Sequence, residues 1–387
     1  MRRSTRSLLV ATAAAALVLP LCGVTAANAD TPSFSNADKS ALRNQAPVDL
    51  AIGTAAWGEQ MLTDYDPAAP TEFQDVLSRQ FSSVTPENDM KWDAVHPAPD
   101  VYDFASADAV VAFAKANHQK VRGHTLLWHS QNPAWVTEAS GTWTCDQAKD
   151  VLEDHIRTVV GHFKGEIYEW DVANEIFKDT WDAGGVSLRT DRNPFLKACA
   201  DDPVGLLADA FTWAHEADPD AVLFLNDYNA EGINEKTDAY YDLAQQLLDR
   251  GAPLGGFGAQ AHLSLLYGFD ASLQANLERF AALGLKVAIT EADVRIPLLD
   301  GETEPTAEQV ATQTERYQAL LQACLNVTAC SSFTVWGFSD AHSWVPDVFP
   351  GEGWATISDE DYTPKPAFDA LLTSLKDATP GVSPRRG

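Results

Sequence analysis

What most constrains this 387-residue chain is a rhythm of eight short, β-rich apolar runs, at 48–57, 81–86, 120–128, 167–173, 221–226, 256–261, 286–291 and 331–337. Between them lie stretches long enough for a helix. Apolar residues fall at helical spacing in Asp108 to Asn117, Gln147 to Phe163, Pro203 to Ala217, Lys236 to Arg250, Ser272 to Leu283 and Ala307 to Leu325. Strands that alternate with amphipathic helices imply a parallel sheet of the α/β class, and eight such units imply a closed (β/α)8 TIM barrel. An open, doubly wound sheet is the rival. It lacks support, because no G-x-G-x-x-G follows the first run and no P-loop occurs.

The N-terminus reads as an export signal: Arg2, Arg3 and Arg6, an apolar run from Leu8 to Leu21, and a small-residue cleavage site at Ala27-Asn28-Ala29. Pro20 interrupts the run, which argues against a membrane anchor, and Leu21 before Cys22 argues against a lipoprotein. The expected organisation is a secretory signal over 1–29, a single (β/α)8 barrel over 30–376 and a short tail over 377–387, the mature protein being secreted and extracellular. No long Pro/Ser/Thr linker breaks the mature chain.

Three of the 27 basic residues fall in the signal, leaving 24 against 55 acidic ones and a mature formal charge of −31. Such a surface repels nucleic acid and anionic membranes, and a monomer is expected. Four cysteines remain, an even number suited to two disulfides in an exported protein. Of three possible pairings, the short loop between Cys324 and Cys330 favours joining those two, leaving Cys145 with Cys199.

Polar residues gather where the runs end. The second ends in Thr85-Pro86-Glu87-Asn88-Asp89-Met90-Lys91-Trp92, the third in His124 followed by Trp128-His129, and the fourth in Trp170 to Glu175. The fifth ends in Asn226-Asp227-Tyr228-Asn229, the sixth carries Gln260 and His262, the seventh runs Ala288 to Asp293, and the eighth gives Trp336 to Asp340. In a barrel of this type those ends meet at one face, where active sites form. Helix capping alone would favour Asp, Ser and Thr, whereas here Glu87, Glu175 and Glu291 stand among amides, histidines and tryptophans.

Two carboxyls across a barrel mouth suit glycoside hydrolysis, in which one protonates the leaving oxygen and the other attacks the anomeric carbon or activates water. Glu175 and Glu291, on the fourth and seventh strands, are the expected pair. The neighbouring Trp170, Ile176 and Phe177 are expected to give Glu175 an apolar setting that keeps it protonated, and His262 to keep Glu291 ionised. Asn174 is placed to reach the sugar 2-hydroxyl. No metal site is expected: His124 and His129 would point to opposite faces of a strand, and His155 and His162 read as surface residues. No G-x-S-x-G or H-E-x-x-H occurs.

Seven ordered stretches then carry a resemblance: T-P-E-N-D-M-K-W (85–92), G-H-T-L-L-W-H-S-Q (123–131), W-D-V-A-N-E (170–175), N-D-Y-N (226–229), G-A-Q-A-H-L (258–263), I-T-E-A-D (289–293) and W-G-F-S-D (336–340). Together they resemble the endo-β-1,4-xylanases of glycoside hydrolase family 10. The resemblance implies retaining endo-hydrolysis of xylan and xylo-oligosaccharides on a (β/α)8 barrel with no required cofactor. It makes Glu175 the acid/base and Glu291 the nucleophile. Glu87, Asn88 and Lys91 match positions that grip the xylose before the cleaved bond. His124, Trp128, Asn174, Gln260 and His262 line the same pocket, Trp336 and Trp344 roof it, and Tyr228 receives the leaving side. The loop from Ile176 to Pro203 is longer than the family pattern and borders the leaving side, so product pattern is left open. A retaining β-1,4-glucanase or mannanase shares this chemistry, and a non-hydrolytic sugar-binding protein could share the aromatic cleft. Xylose lacks the hydroxymethyl group of glucose, so bulky Trp336 and Trp344 are the expected means of exclusion.

Overall fold

Strands follow one another around a ring in the same order as along the chain. They are β1 (Ala51–Ala56), β2 (Ser83–Pro86), β3 (Lys120–Leu127), β4 (Ile167–Asn174), β5 (Val222–Asp227), β6 (Gly256–Ala259), β7 (Lys286–Pro297) and β8 (Cys330–Val335). Every neighbouring pair is parallel, and β8 returns to β1 with Ala51 opposite Ser332 and Thr54 opposite Val335. The sheet therefore closes into the expected eight-stranded barrel, leaving no open edge. The computed structural model describes residues 38–58, 62, 64–298 and 304–378. The signal segment 1–29, with its cleavage site, and the tail from 379 onward lie outside the described residues.

One helix of nine residues or more follows each strand: α1 (Glu72–Gln80), α2 (Ala105–Ala116), α3 (Cys145–His162), α4 (Pro203–Ala217), α5 (Glu235–Asp249), α6 (Leu273–Ala282), α7 (Ala307–Asn326) and α8 (Pro366–Ala378). Thr71, Thr144 and Thr306 open α1, α3 and α7 with reciprocal capping boxes to Gln74, Gln147 and Gln309, satisfying amides that would otherwise be orphaned. Two helices escape the periodicity reading. In α1 the buried face mixes Phe73 and Leu77 with Gln74 and Gln80, so its apolar stripe is thin; the Gln80 amide oxygen accepts from the Leu42 amide at 3.0 Å. The α8 stripe of Phe368, Leu371, Leu372 and Leu375 is regular, and it packs against α7.

His155 corrects the surface assignment for α3. It falls on the buried stripe between Leu152, Ile156 and Val159, with its Nδ1 3.3 Å from Nδ1 of His96 and its ring stacked 3.5 Å from that of Trp92. His162, at the helix end, does sit partly exposed and bonds Asp108 at 2.8 Å. Cys145 is bonded to Cys199 and Cys324 to Cys330, the favoured pairing.

Gly123 on β3 lies opposite Trp170 on β4; a Cβ at residue 123 would meet the indole at 2.2 Å, so only glycine leaves room for the ring, which packs toward Phe163 at the end of α3. Beside it the fully buried Arg122 donates to Glu169 and to both oxygens of Asp171. A buried cation is tolerable only when so paired, and this pairing orients Asp171 toward the mouth of the barrel.

Candidate active site

Strand ends and the loops beyond them enclose a cleft of about 1610 Å³. Glu87, Asn88, Lys91, His124, Trp128, Glu175, Tyr228, Gln260, His262, Glu291, Trp336 and Trp344 all line it. Asn174 alone of the expected site residues lies just beneath the lining, 1% exposed.

Register explains how the carboxylate on β7 is held. Asn174 and Asn226 are cross-strand partners on β4 and β5. Thr290 donates to Asn226 Oδ1 at 2.7 Å, which fixes the amide so that its Nδ2 donates to Asn174 Oδ1 at 2.9 Å and to Glu291 Oε1 at 2.7 Å. The other oxygen of Glu291 faces His262 Nε2 at 3.2 Å, and His262 Nδ1 faces Asp293 Oδ2 at 2.8 Å. With a carboxylate on each ring nitrogen, His262 donates from both. Burial works against its charge, but Asp293 and Glu291 outweigh that and push its pKa up to about 10. Burial would likewise raise Glu291, yet His124, His262 and the Asn226 bond bring it down to about 2. Near neutral pH Glu291 is thus an ionised, oriented carboxylate.

Glu175 directly follows β4, with a left-handed φ of 51°, unusual for a glutamate. Its amide donates to Asn226 O at 2.9 Å and its carbonyl accepts from Arg189 Nε at 3.0 Å, so the backbone is clamped from both sides. The carboxyl accepts from Trp128 Nε1 at 2.8 Å and from Gln260 Nε2 at 3.2 Å, with His129 Nδ1 3.8 Å away. These partners replace the apolar setting expected from Trp170, Ile176 and Phe177, which all belong to the core cluster. Proximity in sequence failed as a guide because the turn at Glu175 sends the side chain out of the strand and into the cleft.

The wall beneath the roof is prebuilt. Lys91 Nζ donates to Asn88 Oδ1 and to Gln131 Oε1, each at 2.9 Å, and sits 4.9 Å from the Trp128 ring centre. Burial pushes Glu87 up to about 7 despite the nearby Lys91. His124 Nδ1 lies 3.0 Å from Asp171 Oδ2, and its ring meets that of Trp336 edge-on at 5.3 Å. Trp344 Nε1 donates to Asp293 Oδ2 at 2.8 Å, tying the roof to the histidine beneath it.

His124, Asp171 and Glu291 bring candidate metal-ligand atoms within 4.8 Å of one another. Arg122 and His124 engage both oxygens of Asp171, while Asn226 and His262 engage those of Glu291, so protein donors already satisfy this donor set. His124 and His129 nevertheless both line the cleft, contrary to the strict alternation expected of β3. The β3–β4 register shifts between His124 and Leu127, which breaks the two-residue period. Sequence reasoning missed His129, Gln131, Asn226 and Asp293 as site residues. All four stand inside the quoted motifs, but as partners of other side chains their importance shows only in three dimensions.

On the opposite side lies Tyr228. Its hydroxyl donates to Asp179 Oδ2 at 2.7 Å and accepts from Arg189 Nη2 at 2.8 Å, both partners coming from the long segment after β4.

Comparison with known proteins brings the same family forward. The family described as glycosyl hydrolase family 10 matches residues 42–374. Endo-1,4-beta-xylanase B of Thermotoga neapolitana is 38% identical over 307 residues, spanning 79% of this chain and 84% of that protein. Native xylanase 10B from Thermotoga maritima is similar in structure with a TM-score of 0.78 at 40% identity, covering 87% of this chain and 98% of that one. Xylanase 10B from Thermotoga petrophila RKU-1, solved in complex with xylobiose, gives 0.77 at 38% identity, covering 87% and 97%.

Proposed function

This chain belongs to glycosyl hydrolase family 10, and on that premise we propose that it is an endo-1,4-β-xylanase acting with retention of configuration, Glu291 as nucleophile and Glu175 as general acid/base. The observation that carries the mechanism is the contrast between the two carboxyls. Glu291 is held at about 2 by His124, His262 and Asn226, so it is ionised and ready to attack near neutral pH. Glu175 instead takes a tryptophan N–H and an amide N–H in a more open part of the cleft.

In the first step Glu291 bonds to the anomeric carbon as the glycosidic C–O bond breaks, and Glu175 gives its proton to the departing oxygen. In the second, water loses a proton to Glu175 and attacks the same carbon, freeing Glu291. Glu87, Asn88, Lys91 and His124 grip the xylose unit being cleaved, and Gln260 keeps Glu175 in reach. Asn174 contacts the 2-hydroxyl: its Nδ2 is buried with no hydrogen-bond partner among the described residues, a donor left for substrate. Trp336 and Trp344 exclude a hydroxymethyl substituent, and the tether from Trp344 to Asp293 keeps that exclusion rigid. The Arg-led apolar segment before Asp30 supports export, so the enzyme meets its polymer outside the cell.

Proton NMR of the first products from xylohexaose tests the mechanism. The β-anomer is expected to appear first; initial α-anomer would overturn retention. Initial rates on xylan should exceed those on carboxymethylcellulose and mannan, and parity with either would sink the substrate assignment.

A further inference from the structure

The segment after β4 is a small, braced structure of its own. Its stem is an antiparallel pairing in which Phe177 bridges Leu188, Lys178 N donates to Ser187 O at 2.8 Å and Arg189 N donates to Ile176 O at 2.8 Å. At the tip, Asp182 N donates to Asp179 O at 3.0 Å, closing a turn that holds Thr180 and Trp181 between two aspartates. One buried side chain grips both: Arg189 reaches Asp179 Oδ2 and Asp182 Oδ2, each at 3.3 Å. Asp179 also accepts from Lys236 Nζ at 3.0 Å, and the Cys145–Cys199 disulfide holds the far end of the segment.

On this braced turn Trp181 is 71% exposed, the largest side chain among the exposed apolar residues described. Among the described residues no ring, hydrogen bond or ion pair engages it. An indole left in water is unfavourable, and a turn that only linked β4 to α4 would not need one. Thr180 and Trp181 both line the cleft, and Asp179 ties their turn directly to the Tyr228 hydroxyl. Tyr267, 68% exposed, lines the same cleft.

We propose that Trp181 is the platform of an outlying sugar-binding subsite on the leaving-group side, stacking on the face of a β-1,4-linked xylose unit beyond the one that meets Tyr228. This rests on the reading of the cleft as a xylan-cleaving site. A flat ring fixed from below suits the apolar face of a pyranose, and continuity with the catalytic cleft makes the occupant the far end of the same polymer chain. The subsite makes the enzyme favour long substrates and sets which bond of an oligomer lies over Glu291.

Steady-state kinetics of wild type, Trp181→Ala and Trp181→Phe on xylohexaose and on an aryl β-xylobioside, whose leaving group ends before Trp181, test this. Trp181→Ala should lower kcat/KM on xylohexaose roughly 3- to 10-fold, mainly through KM, the size expected of one aromatic stacking contact. It should shift the product lengths and leave the aryl substrate within about twofold, with Trp181→Phe recovering most of the loss. Equal losses on both substrates, or no loss on xylohexaose, would overturn the subsite. An inactive wild type would instead remove the functional reading itself, a failure visible before any substitution is compared.

Discussion

The two sides of the cleft are built on opposite plans. The side proposed to grip the sugar being cleaved is made of buried and half-buried side chains already bonded to one another: Lys91 to Asn88 and Gln131, His262 to Glu291 and Asp293, His124 to Asp171. The proposed leaving side is carried on loops and presents Trp181 largely to water. Preorganised donors reject a wrong sugar because their alternatives are unpaired polar groups in a dry site. Exposed rings reject little, since any pyranose offers a face. The proposed function therefore has sugar identity read on one side and chain length on the other.

That division can be broken by experiment. The largest effect is expected from His262→Asn. Losing the imidazolium removes a cation and a hydrogen bond from Glu291, so kcat/KM should fall about 10²- to 10³-fold on every substrate. The sign on pH follows from Glu291: its pKa, held at about 2, rises once the cation is gone, so the acid limb of the kcat/KM profile should move up by a unit or more. A profile that keeps its acid limb would detach His262 from the nucleophile. Next, Lys91→Ala should cost about 10- to 10²-fold, equally on aryl xylobioside and xylohexaose, because it strips hydrogen bonds from the side that all substrates share. A loss confined to xylohexaose would erase the proposed division.

The smallest effect concerns stability behind the gripping wall. Trp92, one residue after Lys91, stacks on His155, which is buried against His96, and both histidines have their pKa lowered, first of all by burial. The unfolded chain binds protons near pH 6.5 and the folded pair resists them, so stability is full above that pH and declines as pH falls below it. Urea unfolding at pH 7 and pH 5 should differ by about 1–2 kcal/mol from this pair, and His155→Leu should shrink the difference. An unchanged difference in the variant would place the acid-sensitive groups elsewhere.

Much of this was legible beforehand, for reasons that differ by element. The barrel announced itself because eight apolar runs alternate with amphipathic helices, and a closed parallel sheet buries both faces of every strand. The placement of Glu175 and Glu291 in the cleft was legible because strand ends converge by topology. The setting of Glu175 was not, since a left-handed residue directly after β4 turns the side chain toward Trp128 and Gln260, residues distant in sequence. His155 was misplaced because a histidine on an apolar stripe looks amphipathic until His96 is found opposite it. Trp181 drew no notice, as nothing in the sequence tells an exposed tryptophan from a core one.

Arg189 has a last consequence, for anyone who would transplant parts between related enzymes. It braces the turn that bears Trp181 and, through the same guanidinium, bonds the carbonyl of Glu175. The segment from Ile176 to Cys199 is therefore no detachable ornament. A graft of the tip alone would leave the donor's indole on an unbraced turn, and a graft that omitted Arg189 would disturb the host's own acid/base. Only the whole unit, together with Asp179, Asp182 and the Cys145 partner, can travel as a working cassette.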